Sequence, residues 1–414
     1  MIKSNRLKTV FIQTTKILIL VLAGLITIQY FSTKIFRMPE SRPFQGKYLY
    51  NPYDKHIYAD SWQKANLHAH SISWGGLTNG HQTGQELVSA YHRHGYQVAT
   101  VSDYHRINHS VYQTDNIAIP AYEHGMNLRK VHLMAIGAQQ VSFFDAMLWQ
   151  NNHIRQSIIN ELSKMAEVLA INHPGLRGGH KPENIKELTG YDCLEVLNGH
   201  RTYFAHWDSV LSAGRAVWIL GNDDCHDLIR ENFAIAWNLI HSDNREPQGI
   251  LQSLKKGNTY AVRRKRKFNT ADSLEAWALQ NDGRMLRHVG TSDSTFWVKF
   301  NSPMDVRLIG QGGKKLAEFF AKDSVGYTFQ PSDTYVRIEA ENRELQIFLN
   351  PILRADAPGS VGNDLKARVN IGATFAWRLL WIGGYFLLML MLYPALAKTL
   401  VFEREEPTIK PVYG

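Results

Sequence analysis

The stretch Lys64-Ala-Asn-Leu-His-Ala-His-Ser-Ile-Ser-Trp-Gly-Gly76 puts His68 and His70 at the end of a short apolar run, just before a Gly-rich turn. Strand side chains alternate between two faces, so residues i and i+2 point the same way. Two imidazoles on one face of a strand end can grip one object together, and a metal ion is the obvious candidate. Two unrelated polar residues at a strand end would be the bland alternative. The pattern of the rest of the chain decides between them.

Outward from this stretch, residues 60–265 repeat a strand-then-helix rhythm. Apolar strand-like runs start at Ala65, Tyr96, Ile117, Lys130, Glu167, Asp192 and Ala216. Helical stretches fall between several of them, at 83–94, 145–165, 182–188 and 203–213. Alternation of this kind predicts parallel strands with crossover helices. A seven-stranded α/β barrel is favoured over an open sheet because the seven strands end in polar, chemically able residues, as at the active face of barrel enzymes. Residues 270–353 change texture: β-forming runs separated by Asn-Asp-Gly, Gln-Gly-Gly and Pro-Ser-Asp turns predict a small β-sandwich. Residues 354–372 read as a linker.

The 414 residues are 44% hydrophobic and 20% charged, an ordinary folded composition. The net charge of +9 lies partly in the flanks of apolar segments and in the run Arg263-Arg-Lys-Arg-Lys267. Without an aromatic platform interleaved with that charge, no nucleic-acid partner is expected. Two cysteines, Cys193 and Cys225, are too few for a disulfide framework or a four-cysteine zinc site. Two segments are long and apolar enough for a bilayer: one from Val10 to Phe31 within an N-terminal anchor at 1–35, and one at 379–397 without a charge. The first lacks the small-residue pattern of a cleavage site and is read as an uncleaved anchor. Lys3, Arg6 and Lys8 precede it, which by the positive-inside tendency places both termini, with Lys398, Arg404 and Lys410, in the cytoplasm and the catalytic domain outside.

Of the 18 histidines, 15 lie between His68 and His226, where even scatter would put about seven. Along the predicted strand ends come His68, His70, Asp103, His105, Glu123, His132, His173, Asp224 and His226. Imidazole mixed with carboxylate suits zinc, iron or manganese rather than calcium or magnesium. Nine candidate ligands exceed what one ion can use, which predicts two or three. Arg177, on a turn four residues past His173, is a candidate phosphate clamp; Asn198, His200 and Arg201 follow another strand end as candidate substrate contacts. His92, His94, His153, His241 and His288 are read as surface or core residues, and Cys225 as core packing.

The motifs His68-Ala-His70, Val101-Ser-Asp-Tyr-His-Arg106, Ala121-Tyr-Glu123, Val131-His132-Leu133, Ile171-Asn-His173-Pro-Gly175 and Asn222-Asp-Asp224-Cys-His226 together resemble the PHP (polymerase and histidinol phosphatase) domain phosphoesterases over residues 65–262. The resemblance implies a distorted seven-stranded barrel whose ligands hold two or three metals and hydrolyse phosphate esters. Glu123 would be the bridging carboxylate. Two departures stand out: Asn79 or His81 would have to complete a corner where the family has an acid, and either Asp103 or His105 would complete the coordination where Tyr104 replaces a histidine. The expectation is therefore a metal-dependent phosphoesterase anchored in a bacterial inner membrane, with a phosphorylated substrate and an extracytoplasmic domain. Its rival is a metal-binding, catalytically weakened barrel serving as a recognition or assembly module in the envelope. Neither oligomeric state nor substrate identity is legible.

Overall fold

The computed structural model describes residues 2–53, 61–109, 117–229, 233–243, 245–361 and 365–402. It divides into two compact units, residues 1–37 with 369–414 and residues 38–368. Arg404 and Lys410, used above for orientation, lie outside the described residues.

The first unit is a pair of helices, Ile2–Phe31 and Ile371–Phe402. Each contains a stretch long and apolar enough to cross a membrane, Val10–Phe31 and Ile371–Leu392. They pack through aromatic residues: Tyr30 stacks on Trp381 at 4.5 Å, and the Trp377 indole N–H donates to the Tyr30 carbonyl at 2.7 Å. Large apolar side chains such as Phe11, Leu18, Phe375 and Leu380 face outward, as they would in lipid.

In the second unit all seven expected strands are present: β1 (Trp62–Asn66), β2 (Val98–Ala99), β3 (Ala121–His124), β4 (Leu133–Ile136), β5 (Val168–Ile171), β6 (Cys193–Asn198) and β7 (Trp218–Asn222). Helix α1 (Gly84–Arg93) starts on a capping box, with Thr83 and Glu86 satisfying each other's backbone N–H. Helix α2 (Asn152–Leu162) starts on the Asn151 side chain, and α3 (Phe204–Ser212) follows β6. Every residue of β1, β3, β4, β5, β6 and β7 is buried, which is why they read as continuous apolar runs rather than alternating ones.

Strand direction departs from the all-parallel expectation. β4 is antiparallel to both β3 and β5, whereas β5, β6 and β7 run parallel. Only residues 125–132 connect β3 to β4, and a parallel crossover needs about a dozen residues or more. The reversed strand therefore brings its beginning, next to His132, to the edge where the other strands bring their ends.

The seven strands do not close into a barrel among the described residues. β3 to β7 form one sheet; β1 and β2 belong to another, together with β8 (Ala236–His241) and β9 (Thr259–Arg264). At one seam, between β7 and β8, the Asn238 carboxamide replaces a backbone ladder, accepting from the Gly221 N–H at 2.9 Å and donating to the Gly221 carbonyl at 2.7 Å. At the other, an isolated bridge between Tyr104 and Glu123 joins the two sheets.

The region expected to be a separate sandwich extends this second sheet. β10 (Leu286–Ser292), β11 (Thr295–Gly310), β12 (Lys314–Thr328), β13 (Tyr335–Glu341) and β14 (Leu345–Ala355) join it where β14 pairs with β9, Tyr260 opposite Leu349 and Val262 opposite Ile347. Residues 265–270 are thus no break in the fold, because β9 leaves an apolar edge that β14 covers. A buried ion pair also ties β13 to α3: Arg337 Nε and Nη2 donate to the two Asp208 carboxylate oxygens at 2.7 and 2.9 Å.

Candidate metal centre

One edge of the two sheets gathers seven of the nine residues picked from the sequence. Four sets of three side chains each offer a ligand atom within 4.8 Å of the others: His68, His70 and Glu123; His68, His173 and Asp224; His70, Asp224 and His226; Glu123, His132 and His173. His68, His70, Glu123, His132, His173, Asp224 and His226 are thus brought together. His68 and His70 come from the end of β1, Glu123 from β3, His132 from the start of β4, His173 from the end of β5, and Asp224 and His226 from just past β7. Backbone at two of them is left-handed, with φ +24° at His173 and +50° at Asp224, the kind of local strain that recurs at functional sites.

The sets share members. Glu123 Oε1 lies 2.9 Å from His132 Nδ1, 3.1 Å from His173 Nε2 and 3.2 Å from His68 Nε2; its Oε2 lies 3.2 Å from His70 Nε2. Asp224 Oδ1 lies 3.2 Å from His68 Nε2 and 3.4 Å from His70 Nε2. His68 Nε2 and His70 Nε2 face each other at 3.2 Å.

Whether this donor set fits metal ions follows from its lone pairs. His68 Nδ1 is held by Glu195 Oε1 at 2.8 Å, so its Nε2 presents a lone pair to the centre. Buried nitrogen and oxygen lone pairs aimed at one another repel unless a cation lies among them. His226 Nε2 and His70 Nδ1 are buried without a hydrogen-bond partner. The ionisation balance points the same way. Burial pushes the Glu123 carboxyl up, yet His132 and His68 outweigh it and hold it well below the usual range; Asp224 is likewise pushed up by burial and held far down by His68 and His70. Burial alone would drive His68 down, but Asp224, Glu195 and Glu123 hold it well above its ordinary value. Two buried carboxylates that stay ionised require positive charge, and divalent ions can supply it in place of protons. The residues therefore fit transition-metal ions.

Asp103 and His105, the two open alternatives, both lie outside these sets. The Asp103 carboxylate accepts from the Ser71 N–H and Ser71 hydroxyl, each at 2.7 Å, and from the Asn108 carboxamide at 3.2 Å; it fixes the turn after His70. His105 is committed at both ring nitrogens, to the Ser142 carbonyl at 3.0 Å and the Gly125 N–H at 3.0 Å. The nearby Tyr104 occupies the vacated corner, its ring stacked on His70 at 4.5 Å and edge-on to His132 at 5.5 Å. Asn79 and His81 are exposed and belong to none of the sets. Asn198, expected to touch substrate, donates instead to Glu195 at 2.9 Å and Asp224 at 3.2 Å. Arg177, His200 and Arg201 have exposed side chains, on the turns that follow β5 and β6.

Three supporting residues escaped the sequence reading. Glu195, buried in the middle of β6, takes four hydrogen bonds: from His68, Asn222, the His173 N–H and Asn198. An acid inside the otherwise apolar run Cys-Leu-Glu-Val-Leu was its signal. Asn172 donates to Glu123 at 2.9 Å. Lys130, on the 125–132 connection, lines the same cavity as His132, and its Nζ lies 5.4 Å over the Tyr104 ring. Because Glu195 orients a ligand without reaching the centre, Glu195→Gln is expected to weaken metal affinity about 10- to 100-fold. An unchanged affinity in a competition titration against a chelator would show that Glu195 has no such role.

A cavity of about 750 Å³ opens beside the centre, lined by Tyr104, His105 and His132 together with Lys130 and a set of apolar side chains from three loops.

No family model matches the chain, and no curated protein matches it. Among solved structures, the chain is similar to a two-domain protein from Bacteroides vulgatus that contains a predicted PHP-like metal-dependent phosphoesterase. The identity is 15% and the TM-score 0.41, over 77% of this chain and 96% of that one.

Proposed function

We propose that this protein is a membrane-anchored, metal-dependent phosphoesterase. The observation that carries the reading is the sharing of Glu123, Asp224 and His68 among neighbouring ligand sets, which suits adjacent ions rather than a single structural one. Glu123, His132 and His173 would hold one ion, and His70, Asp224 and His226 a second, with His68 and Glu123 between them; zinc, manganese and iron all suit the donor types. Ions so placed supply Lewis-acid charge for the phosphoryl oxygens and lower the pKa of a water.

The chain's own residues supply the rest. Glu195 fixes the ring of His68, while Asn172 and Asn198 hold the Glu123 and Asp224 carboxylates in place. Lys130, at the cavity wall beside Tyr104, offers a cation to a phosphate entering there. In the reaction a water oxygen bonds to phosphorus, the phosphorus–oxygen bond to the alcohol breaks, and the alcohol leaves carrying a proton. No protein nucleophile is required when a water is activated in this way. Both terminal helices would sit in the inner membrane of a bacterium, with the catalytic unit outside the cytoplasm.

A panel of phosphomonoesters and diesters, offered to the full chain with manganese, zinc and iron supplied separately, tests the activity. Turnover with at least one metal, abolished by chelation and restored by re-addition, is expected. No turnover with any metal would favour the recognition-module reading. For orientation, a phosphatase reporter fused after residue 60 is expected to be active; a silent one would make the catalytic unit cytoplasmic.

A further inference from the structure

We propose that the cavity beside the metal centre receives an apolar chain, so that the substrate is a lipid phosphate. The inference rests on the phosphoesterase reading above and names its substrate class. The wall includes Trp74, Leu77, Met126, Leu128, Phe143 and Met147, which are far from buried: Leu77 is 90%, Leu128 70% and Phe143 60% exposed. Clustered apolar side chains left to water around a concave site mark a surface that something apolar covers. At about 750 Å³ the cavity lies within the ~300–1,000 Å³ range of ligand pockets.

Its polar side is equally specific. Among the described residues, no aspartate or glutamate lines it, and Lys130 is the one lysine or arginine that does. That lysine lies against the Tyr104 ring, which in turn stacks on His70 of the ligand cluster. Positive charge therefore adjoins the candidate metal centre within a mostly apolar wall whose uncharged polar members include Thr78, Asn79 and Asn127, the arrangement that suits an anionic head carrying a hydrocarbon tail. The wall is also shaped by fixed contacts: the Trp74 indole N–H donates to the Tyr104 carbonyl at 2.7 Å, and Phe143 stacks on His105 at 5.3 Å. The source of such a substrate is at hand for a chain with two helices able to cross a bilayer.

The test is calorimetric. The full chain, loaded with manganese in lipid nanodiscs, is titrated with butyl-, hexyl-, octyl- and decylphosphonate, with empty nanodiscs as control, and hydrolysis of the matching alkyl phosphates is followed in parallel. Burying a methylene strengthens binding about three- to fourfold, so the affinity is expected to rise at least thirtyfold from butyl to decyl before the groove is filled. In Leu128→Asp and Phe143→Asp, whose side chains are exposed and so leave the core intact, the series is expected to flatten to within about threefold. Such a result upholds the apolar-chain cavity even if no ester is hydrolysed, in which case the phosphoesterase reading falls and the lipid phosphate is a bound ligand rather than a substrate. Equal affinities along the series, or a chain-length dependence that survives in both variants, overturns it; the phosphoesterase reading then stands if the alkyl phosphates are turned over equally. Adenosine monophosphate binding tighter than decylphosphonate also overturns it, in favour of a groove that stacks a base on Trp74 and Phe143.

Discussion

Glu123→Gln is expected to lower phosphoester turnover about a thousandfold, on the order of 4 kcal/mol in the barrier, and to leave less than one equivalent of bound metal per chain. Among the described residues, Glu123 is the one side chain whose two carboxylate oxygens reach both halves of the cluster, Oε1 toward His132 and His173 and Oε2 toward His70. Glutamine keeps the size but removes the charge, so the imidazoles around it lose their anionic partner and the ions lose their shared ligand. The fold is expected to persist, because glutamine fills the same buried space and its carbonyl oxygen can still accept from Asn172. Elemental analysis and turnover measured on the same preparation check this. A variant that keeps wild-type metal content and rate would remove Glu123 from the centre.

The second large effect concerns stability. Arg337→Ala is expected to destabilise the protein by about 3–5 kcal/mol, seen as a lower denaturant midpoint for the full chain in detergent. Arg337 is almost fully buried and holds both oxygens of Asp208, while its guanidinium lies 5.1 Å over Phe204 and 5.4 Å over Trp207. Burial pushes the Arg337 guanidinium pKa down, but Asp208 outweighs it and holds it above its usual value. Truncation would leave the Asp208 carboxylate buried without its counter-charge and hollow out the aromatic shelf beneath it. The Tyr335 hydroxyl, 3.1 Å from Asp208, offsets only part of that loss. Replacing both partners, Asp208→Leu with Arg337→Met, is expected to recover most of the stability, since the buried Asp208 charge goes with its partner and Glu339, which also pairs with Arg337, keeps Arg307 at 3.7 Å. A loss below about 1 kcal/mol in Arg337→Ala would mean that α3 and β13 are not held together by this pair.

Much of this was legible in the sequence, for identifiable reasons. The seven strands showed because each is buried on both faces and so appears as an unbroken apolar run. The cluster of seven side chains that could hold metal showed because imidazoles and acids at strand ends stand out against those runs, and the period of two put His68 with His70. What failed was information that lies between strands rather than along them. Apolar runs say nothing of direction, so the reversal of β4 had to come from the shortness of the 125–132 connection. Nor do they reveal that β1 and β2 pair with a different sheet from β3 to β7, a split decided by side chains such as Asn238. The supposed sandwich looked separate because Arg263–Lys267 resembles a solvated loop, whereas residues up to Arg264 belong to β9 and pair with β14. Asp103 and His105 had the right chemistry at the right strand end, but the backbone turns them toward Ser71 and Ser142. Glu195 was hidden by its position inside a strand instead of at its end.

The central claim, that shared carboxylate and imidazole ligands hold adjacent ions, is tested most directly by anomalous diffraction from crystals of the full chain equilibrated with manganese or zinc. The account predicts at least two anomalous peaks, about 3.5–4 Å apart, with Glu123 in contact with both and Asp224 and His132 on opposite sides. A single peak away from Glu123, or no peak with any of the metals, would contradict it.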